Sequence, residues 1–298
     1  MSDVRKGQWL CSLAMVLVGS TVVVSKIIGD GMEPFLATVL RHALALPVFV
    51  ALMVWRGERF PRVGRRDALL LTLQAAAGSV GYSVLLIFGV MLSSAADAGV
   101  IAGTLPAVAA LLSVALLGER GGARLLLSIA LATAGAMAVA LAPDTGGHAP
   151  TRWLGILLVL AAVLCEAVFV LANKRLSQPI AVLPLSTLMS AGGLLLAAPF
   201  AWWFARDTPA HFTLQAVLGV LYYAWVPTVI GFLLWYAGSA RTTGMRASLA
   251  TAWMPVSALL LSAVVLGESI GAFQWLGLAC VLLAMWLAAV HSGGAGRT

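Results

Sequence analysis

The feature that most constrains this chain is a series of apolar runs, each about 20 residues long, that follow one another along the whole sequence. Hydrophobic residues make up 61% of the 298 residues and charged residues 10%, whereas a soluble domain carries about 25% charged residues. Crossing the bilayer core takes about 20 apolar residues in a helix. The sequence therefore predicts an all-α polytopic membrane protein, and no stretch outside the apolar runs is long enough to form a soluble domain.

Ten runs fit this length, and short segments rich in Gly, Pro or Arg separate them. We expect ten transmembrane helices, at residues 8–28, 35–55, 68–91, 96–117, 123–142, 152–173, 181–204, 214–237, 246–267 and 272–290. The first run follows basic residues as a signal peptide does, but no small-residue cleavage site follows it, so we interpret it as a membrane helix. Cys11, Cys165 and Cys280 lie inside apolar runs, which favours packing roles over a disulfide framework or a metal site.

An internal repeat divides the chain into two halves. The stretch LPAVAALLSVALLGER, residues 105–120, matches MPVSALLLSAVVLGES, residues 254–269, at 8 of 16 positions and at an offset of 149 residues. We expect one repeat over residues 1–149 and a second over residues 150–298, with five helices each. Because five is odd, the second repeat is inverted in the membrane. Inverted repeats place a site between the halves at the midplane and suit alternating access.

The distribution of Lys and Arg predicts the orientation. With a cytoplasmic N-terminus, 14 of the 18 basic residues fall in cytoplasmic segments and three fall outside, while Arg41 lies within a span. The positive-inside rule therefore places both termini in the cytoplasm. The same rule explains the net charge of +7 without a nucleic-acid partner, because the basic residues lie between spans with no aromatic residues interleaved. A small-molecule substrate and the lipid bilayer are the partners we expect.

Four motifs occur in order along the chain: GSTVVVSK, PFLATVLR, and two segments that run from a proline to LGE, at residues 106–119 and 255–268. In this order they resemble the drug/metabolite transporter superfamily, in its EamA-type branch of ten-helix exporters. The resemblance covers essentially the whole chain. It implies a carrier of the bacterial inner membrane with a central cavity lined mainly by helices 1, 3, 4, 6, 8 and 9, which moves small metabolites such as amino acids, commonly outward.

Within this branch the chain is similar to YddG-type aromatic amino acid exporters in length and in the aromatic residues along the predicted cavity helices. We therefore expect a carrier that exports amino acids, aromatic or hydrophobic ones in particular, by alternating access. The alternative is a multidrug, cation or other metabolite efflux carrier of the same superfamily.

An acidic residue inside the sixth predicted helix is the first candidate for the transport pathway. Glu166 lies about two-thirds of the way along this span, where an unpaired charge costs roughly 2.5–3.5 kcal/mol on insertion scales. Asn173 follows seven residues later on the same helix face, so we expect this face to border a wet cavity. Glu166 is a candidate proton carrier or partner of a substrate ammonium group, and a protonated carboxyl bonded to a neighbouring helix is the alternative. No cofactor is expected.

Stripes of small residues beside one large ring mark two further helices. The third helix carries Gln74, Gly78, Gly81 and Tyr82 on one stripe, and the eighth helix carries Thr228, Gly231, Trp235 and Gly238. Under the offset of 149 residues, Ser79 aligns with Thr228. Small residues admit either a neighbouring helix or a substrate. Five of these residues are candidates for the pathway: Gly78, Ser79, Tyr82, Thr228 and Trp235.

Basic residues inside the second helix are the third feature. Arg41 lies near enough to the outer end of the span to snorkel. His42 follows Thr38 by four residues, which favours a hydrogen-bonded contact over a proton relay, and we keep His42 as a candidate pathway residue.

Glycines, prolines and acids near helix ends predict structural roles. Gly99 and Gly103 form a GxxxG contact motif, and Pro106 and Pro255 fit kinks near the midplane. We expect Glu119 and Glu268, at helix ends on opposite membrane faces, to hold loops or gates.

An enzyme or a channel is a less suitable interpretation. A hydrolase within the membrane needs a nucleophile with a base, or clustered His and acid ligands. The four histidines are His42, His148, His211 and His291, and all but His42 fall in loops or the tail. Neither Gly-x-Ser-x-Gly nor His-Glu-x-x-His occurs, and charge rings or a repeated filter sequence are missing. The sequence therefore predicts a carrier with no catalytic residues and no metal.

Overall fold

The regular secondary structure of the described chain is entirely helical. The computed structural model describes residues 3–117, 123–143, 150–206, 212–242 and 244–294. The helices of its first half are α1 Asp3–Gly29, α2 Pro34–Trp55, α3 Arg65–Leu92, α4 Ala95–Ala102, α5 Leu105–Leu117 and α6 Ala123–Ala140. Those of its second half are α7 Arg152–Lys174, α8 Val182–Ala205, α9 Leu214–Ser239, α10 Gly244–Ala250, α11 Trp253–Leu266 and α12 Ala272–Gly294. The predicted segments coincide with these helices within a few residues, and two segments are broken into pairs.

The chain is a polytopic helical membrane protein. Within its described part, seven helices are long and apolar enough to cross a membrane, and the pair α4 and α5, bent by 43°, makes an eighth if it counts as one span. Leu125–Ala140 in α6 and Trp253–Leu266 are shorter apolar helices. The number of ten spans and the inverted repeat stay predictions.

Two helices of the described chain are interrupted close to a proline. The break between α4 and α5 falls at residues 103–104, and the break between α10 and α11 falls at residues 251–252, so the kinks predicted near Pro106 and Pro255 are confirmed as helix breaks. The predicted glycine contact is also confirmed. A Cβ atom at Gly99 would lie 2.7 Å from the Cβ of Ala258, and one at Gly103 would lie 2.9 Å from the Cβ of Pro255. The glycines therefore let α4 pack closely on α11.

Widened π-helical turns occur in α3, at Ala75–Gly81, and in α9, at Ala224–Gly231. In α9 the cause is local: Pro227 has no N–H to donate, and the hydroxyl of Thr228 donates instead to the carbonyl of Tyr223 at 2.8 Å. A π turn leaves carbonyl groups without their ordinary helical partner. Both widened turns therefore offer backbone oxygen atoms to side chains of other helices.

Helices from the two halves pack antiparallel. Phe35 of α2 stacks on Phe200 of α8 with ring centroids 5.3 Å apart, and His42 farther along α2 meets Gly193, which comes earlier in α8. The same order holds for α6 and α12, where the Ser128 hydroxyl donates to the carbonyl of Ala284 at 2.8 Å and Gly135 approaches the carbonyl of Gly277. Glycine at position 135 is needed here, since a Cβ would lie 2.8 Å from that oxygen. Each of these helix pairs therefore joins one half to the other.

Candidate functional site

A buried arginine organises the polar centre of the bundle. Arg41 is 9% exposed, and its Nη2 donates to the Ser83 hydroxyl at 2.7 Å and to the Ser79 carbonyl at 3.1 Å. The guanidinium carbon lies 4.6 Å from the centre of the Tyr223 ring, a cation–π distance. The expectation that Arg41 snorkels is wrong. The side chain turns inward because α3 and α9 supply acceptors and an aromatic face at this level.

His42 continues the same cluster. Its Nε2 lies 3.0 Å from Nη2 of Arg41 and 3.1 Å from the Ser79 carbonyl oxygen, and the side chain is 3% exposed. The predicted hydrogen-bonded helix contact exists, but its partners are on α3 and at Arg41. Thr38 takes no part, because its hydroxyl donates to the carbonyl of Pro34 at 2.8 Å.

The π turn of α3 explains why these contacts converge on one atom. The Ser79 carbonyl accepts from Arg41, from His42 when its Nε2 carries the proton, and from the Ser83 hydroxyl at 3.0 Å. Ser79 lies within the widened turn, and its carbonyl oxygen has two lone pairs with which to accept side-chain donors. Side chains of α2 and α3 therefore meet at the backbone of α3, which the alignment of Ser79 with Thr228 does not reveal.

Glu166 and Tyr82 lie at the same level of the bundle. The Tyr82 phenol lies within electrostatic range of Glu166, Arg41 and Tyr223. Glu166 of α7 is half-buried and lies within electrostatic range of Arg41. These polar groups come from α2, α3, α7 and α9. Two of the predicted pathway residues, Glu166 and Tyr82, therefore share one central cluster with His42 and Ser79.

A small cavity adjoins this cluster on the side of α1 and α2. Its volume is about 10 Å³, close to the minimum for one water molecule. Its lining combines polar groups of the cluster with apolar side chains: Ile28, Ala37, Thr38, Arg41, Ser83, Ile87 and Tyr223. This cavity is therefore too small for a substrate, which needs helix movement to reach Arg41 from this side.

The other candidate residues lie away from this cavity. Gly78 packs on α7, where a Cβ would lie 2.6 Å from the ring of Phe169. Trp235 packs on Cys11 of α1 and on two alanines of α10, and its carbonyl accepts from the Cys11 thiol at 3.9 Å. Thr228 bonds to its own helix, and Asn173 is exposed at the end of α7. These contacts show packing at Gly78 and Trp235, and Cys11 has the packing role that the sequence predicts.

Gln74 is a buried polar residue on the same stripe of α3. It is 0% exposed, and neither atom of its amide has a hydrogen-bond partner. Burying an unsatisfied amide is costly. The sequence places Gln74 on the stripe but gives no sign that its amide group is unpaired.

A buried ion pair, not predicted from the sequence, ties four helices at the end of the bundle where α4 and α7 begin. Arg152 Nε donates to Asp97 Oδ2 at 3.0 Å, and the Gln274 amide of α12 donates to Asp97 Oδ1 at 2.9 Å. The guanidinium also donates to the carbonyls of Val139, at 2.7 Å, and Ala142, at the end of α6. The signal available in the sequence was Asp97 itself, a second acid within a predicted span.

Glu268 holds a loop at the same end. Its two carboxylate oxygens accept from the backbone N–H groups of Ala95 and Ala96 at 2.9 and 2.7 Å, which caps the N-terminus of α4. The prediction that Glu268 ties a loop is confirmed. Glu119, like the loop histidines His148 and His211, lies outside the described residues. In the described part of the chain, no group of three or more His, Cys, Asp or Glu residues is placed to hold a metal ion.

A polytopic helical bundle with buried charged groups at its centre is typical of membrane transporters, and comparison with known proteins gives the family. Residues 5–141 and 153–290 each match the sequence model of the EamA-like transporter family. This chain belongs to that family, and it is a transporter and not an enzyme.

Individual relatives agree with this assignment. The chain is 34% identical over 273 residues to the uncharacterized transporter YetK of Bacillus subtilis (strain 168), across 90% of this chain and 82% of the relative. It is 27% identical over 300 residues to a probable amino-acid metabolite efflux pump of Salmonella typhimurium, across 95% and 94% of the two chains. A crystal structure of a protein that is 20% identical in sequence superimposes with a TM-score of 0.65, and the match covers 96% of this chain and 98% of the other chain. At this identity the match shows the fold alone.

Proposed function

We propose that this protein exports amino acids, aromatic or hydrophobic ones in particular, across the bacterial inner membrane by alternating access. The observation that carries the proposal is the central cluster, in which the buried Arg41 is held between α3 and α9 and the half-buried Glu166 lies within its electrostatic range. Intramembrane charges of this kind mark substrate or ion pathways. The Salmonella relative, a probable amino-acid metabolite efflux pump, supports the choice of substrate.

Alternating access requires two related halves that exchange conformations. The π turns begin at residues 75 and 224, and the helix breaks fall at residues 103–104 and 251–252, so both features recur near the predicted offset of 149 residues. The antiparallel pairing of α2 with α8 and of α6 with α12 supports an inverted arrangement. The charge distribution supports cytoplasmic termini. On this topology the ion pair of Asp97 and Arg152 closes the periplasmic end.

The pathway residues divide into three groups in this proposal. Glu166 and Tyr82 border the substrate, and Ser79 and His42 hold Arg41 in place. The remaining candidates are assigned to the edges of the pathway: Gly78, Asn173, Thr228 and Trp235. No cofactor is assigned. Glu166 is the candidate for carrying a proton in exchange for substrate.

The test is counterflow in proteoliposomes that contain the purified protein. Liposomes preloaded with unlabelled L-phenylalanine or L-leucine should accumulate the labelled amino acid saturably, and an imposed proton gradient should change the rate. Glu166→Gln keeps size and hydrogen bonding, so it should fold and lose most of this exchange, whereas Glu58→Gln, in the loop after α2, should behave as wild type. Wild-type exchange and gradient response in a stable Glu166→Gln protein would refute the role of Glu166. Failure of all amino acids to exchange would refute the proposed substrate class.

A further inference from the structure

Arg41 is a buried charge without an anionic partner. Arg152, the other buried arginine, forms an ion pair with Asp97, whereas Arg41 forms none with a described carboxylate. Charged groups in membrane spans pair with one another or with backbone carbonyls, and Arg41 is held by the Ser79 carbonyl, the Ser83 hydroxyl and the Tyr223 ring. Glu166 lies within electrostatic range of Arg41 but forms no direct ion pair with it.

The hydrogen bonds of Arg41 leave part of its guanidinium group free. Nη2 uses its two N–H groups for the Ser79 carbonyl and the Ser83 hydroxyl, and Nε2 of His42 lies 3.0 Å from it, whereas Nε is buried and has no hydrogen-bond partner. The group adjoins the cavity, whose polar lining includes Thr38 and Ser83. A guanidinium group with an unpaired N–H beside a cavity is suited to a charge-assisted hydrogen bond with a carboxylate.

We infer that Arg41, through its unpaired Nε–H, binds the carboxylate of the transported substrate, while Glu166 binds its ammonium group. This assignment rests on the proposed function and narrows it to zwitterionic substrates. The Tyr223 ring under the guanidinium keeps the fork oriented. Because the cavity holds about 10 Å³, near the limit for one water molecule, the carboxylate enters when the helices around the cluster separate.

A purely structural role for Arg41 makes a different prediction. If the side chain only anchors α2 to the π turn of α3, its replacement lowers the stability of the fold and leaves the choice among substrates unchanged. The readout is therefore the preference for an amino acid over its amide, because the amide keeps the ammonium group and the side chain but lacks the carboxylate.

The experiment compares L-phenylalanine and L-leucine with L-phenylalaninamide and L-leucinamide as competitors of counterflow. Wild type should prefer the acids to the amides at least tenfold. Arg41→Gln should lose that preference, and Arg41→Lys, which keeps the charge but not the fork, should reduce it. Arg206→Gln removes an exposed arginine that stacks on Trp202 at 3.6 Å, and it should leave the preference unchanged.

The outcomes separate this inference from the proposed function. Exchange of amino acids with equal competition by acids and amides in wild type would overturn the carboxylate site and leave amino-acid export standing. An unchanged preference in Arg41→Gln, or in Arg41→Lys if the former fails to fold, would also overturn it. If amino acids do not exchange but acetate and other simple carboxylates raise the melting temperature of wild type and not of Arg41→Lys, the export proposal fails and the carboxylate site stands.

Discussion

The ion pair of Asp97 and Arg152 should dominate the stability of the bundle end where α4 and α7 begin. The two side chains are 1% and 7% exposed, so Asp97→Asn leaves a buried guanidinium group without a counter-charge. Breaking a buried pair costs about 3–5 kcal/mol. The lower end of this range applies, because Arg152 keeps its bonds to the carbonyls of Val139 and Ala142.

Arg152→Met should cost more than Asp97→Asn. It leaves the Asp97 carboxylate buried without a cation and also removes the donor to the two carbonyls at the end of α6, so we expect a loss of about 5 kcal/mol. The double variant buries no charge. The double variant should lose about as much free energy of unfolding as Arg152→Met does. The two single losses together then exceed the double-variant loss by about 3 kcal/mol, which is the coupling energy between the two sites.

Thermal unfolding in detergent measures these effects through reaction of a thiol dye with the three cysteines, among which Cys11 is fully buried. At about 2–4 °C per kcal/mol, Asp97→Asn should lower the melting temperature by roughly 6–12 °C. A melting temperature of Asp97→Asn within about 2 °C of wild type, or a double variant whose loss equals both single losses together, would refute the reasoning.

Two further predictions follow from packing and from charge. Gly99→Leu should destabilise the protein by about 1–3 kcal/mol, since even a Cβ would lie 2.7 Å from Ala258; Gly64→Ala, with nothing within 4 Å, is the control in the same melting assay. In a cysteine-free background, a cysteine placed between Arg56 and Arg66 should not react with a membrane-impermeant maleimide added to intact cells. Thr151→Cys should react with the same reagent. The reverse pattern would contradict cytoplasmic termini.

Hydropathy predicts the helices of this chain well because each membrane helix satisfies its own backbone hydrogen bonds and needs only an apolar run of sufficient length. The positions of the helix breaks can also be predicted from the sequence, because a proline such as Pro106 or Pro255 disturbs its own helix. The π turn at Ala75–Gly81 was not, because the side chains that contact its Ser79 carbonyl, Arg41 and His42, come from another helix.

The candidate site shows the same limit. Glu166 was found by the cost of a charge in a span, a property of one residue. The direction of Arg41 depends instead on acceptors from α3 and a ring from α9, and distance to the helix end alone suggested snorkelling. Gly78 was placed on the correct stripe of α3, but the side chain that fills the space beside it, Phe169, comes from α7. Contacts between distant segments decided each of these outcomes.

The ion pair at the end of the bundle also bears on how such a chain arises by duplication. Under the offset of 149 residues, Asp97 aligns with Arg246 and Arg152 aligns with Asp3, so both positions are acidic in the first half and basic in the second. An antiparallel dimer of two first halves would set Asp97 against Asp3, and a dimer of two second halves would set Arg152 against Arg246. Like charges disfavour both homodimers. Expressed as separate polypeptides, the halves should therefore assemble only with each other, and substitutions at these positions in one gene segment are constrained by the other.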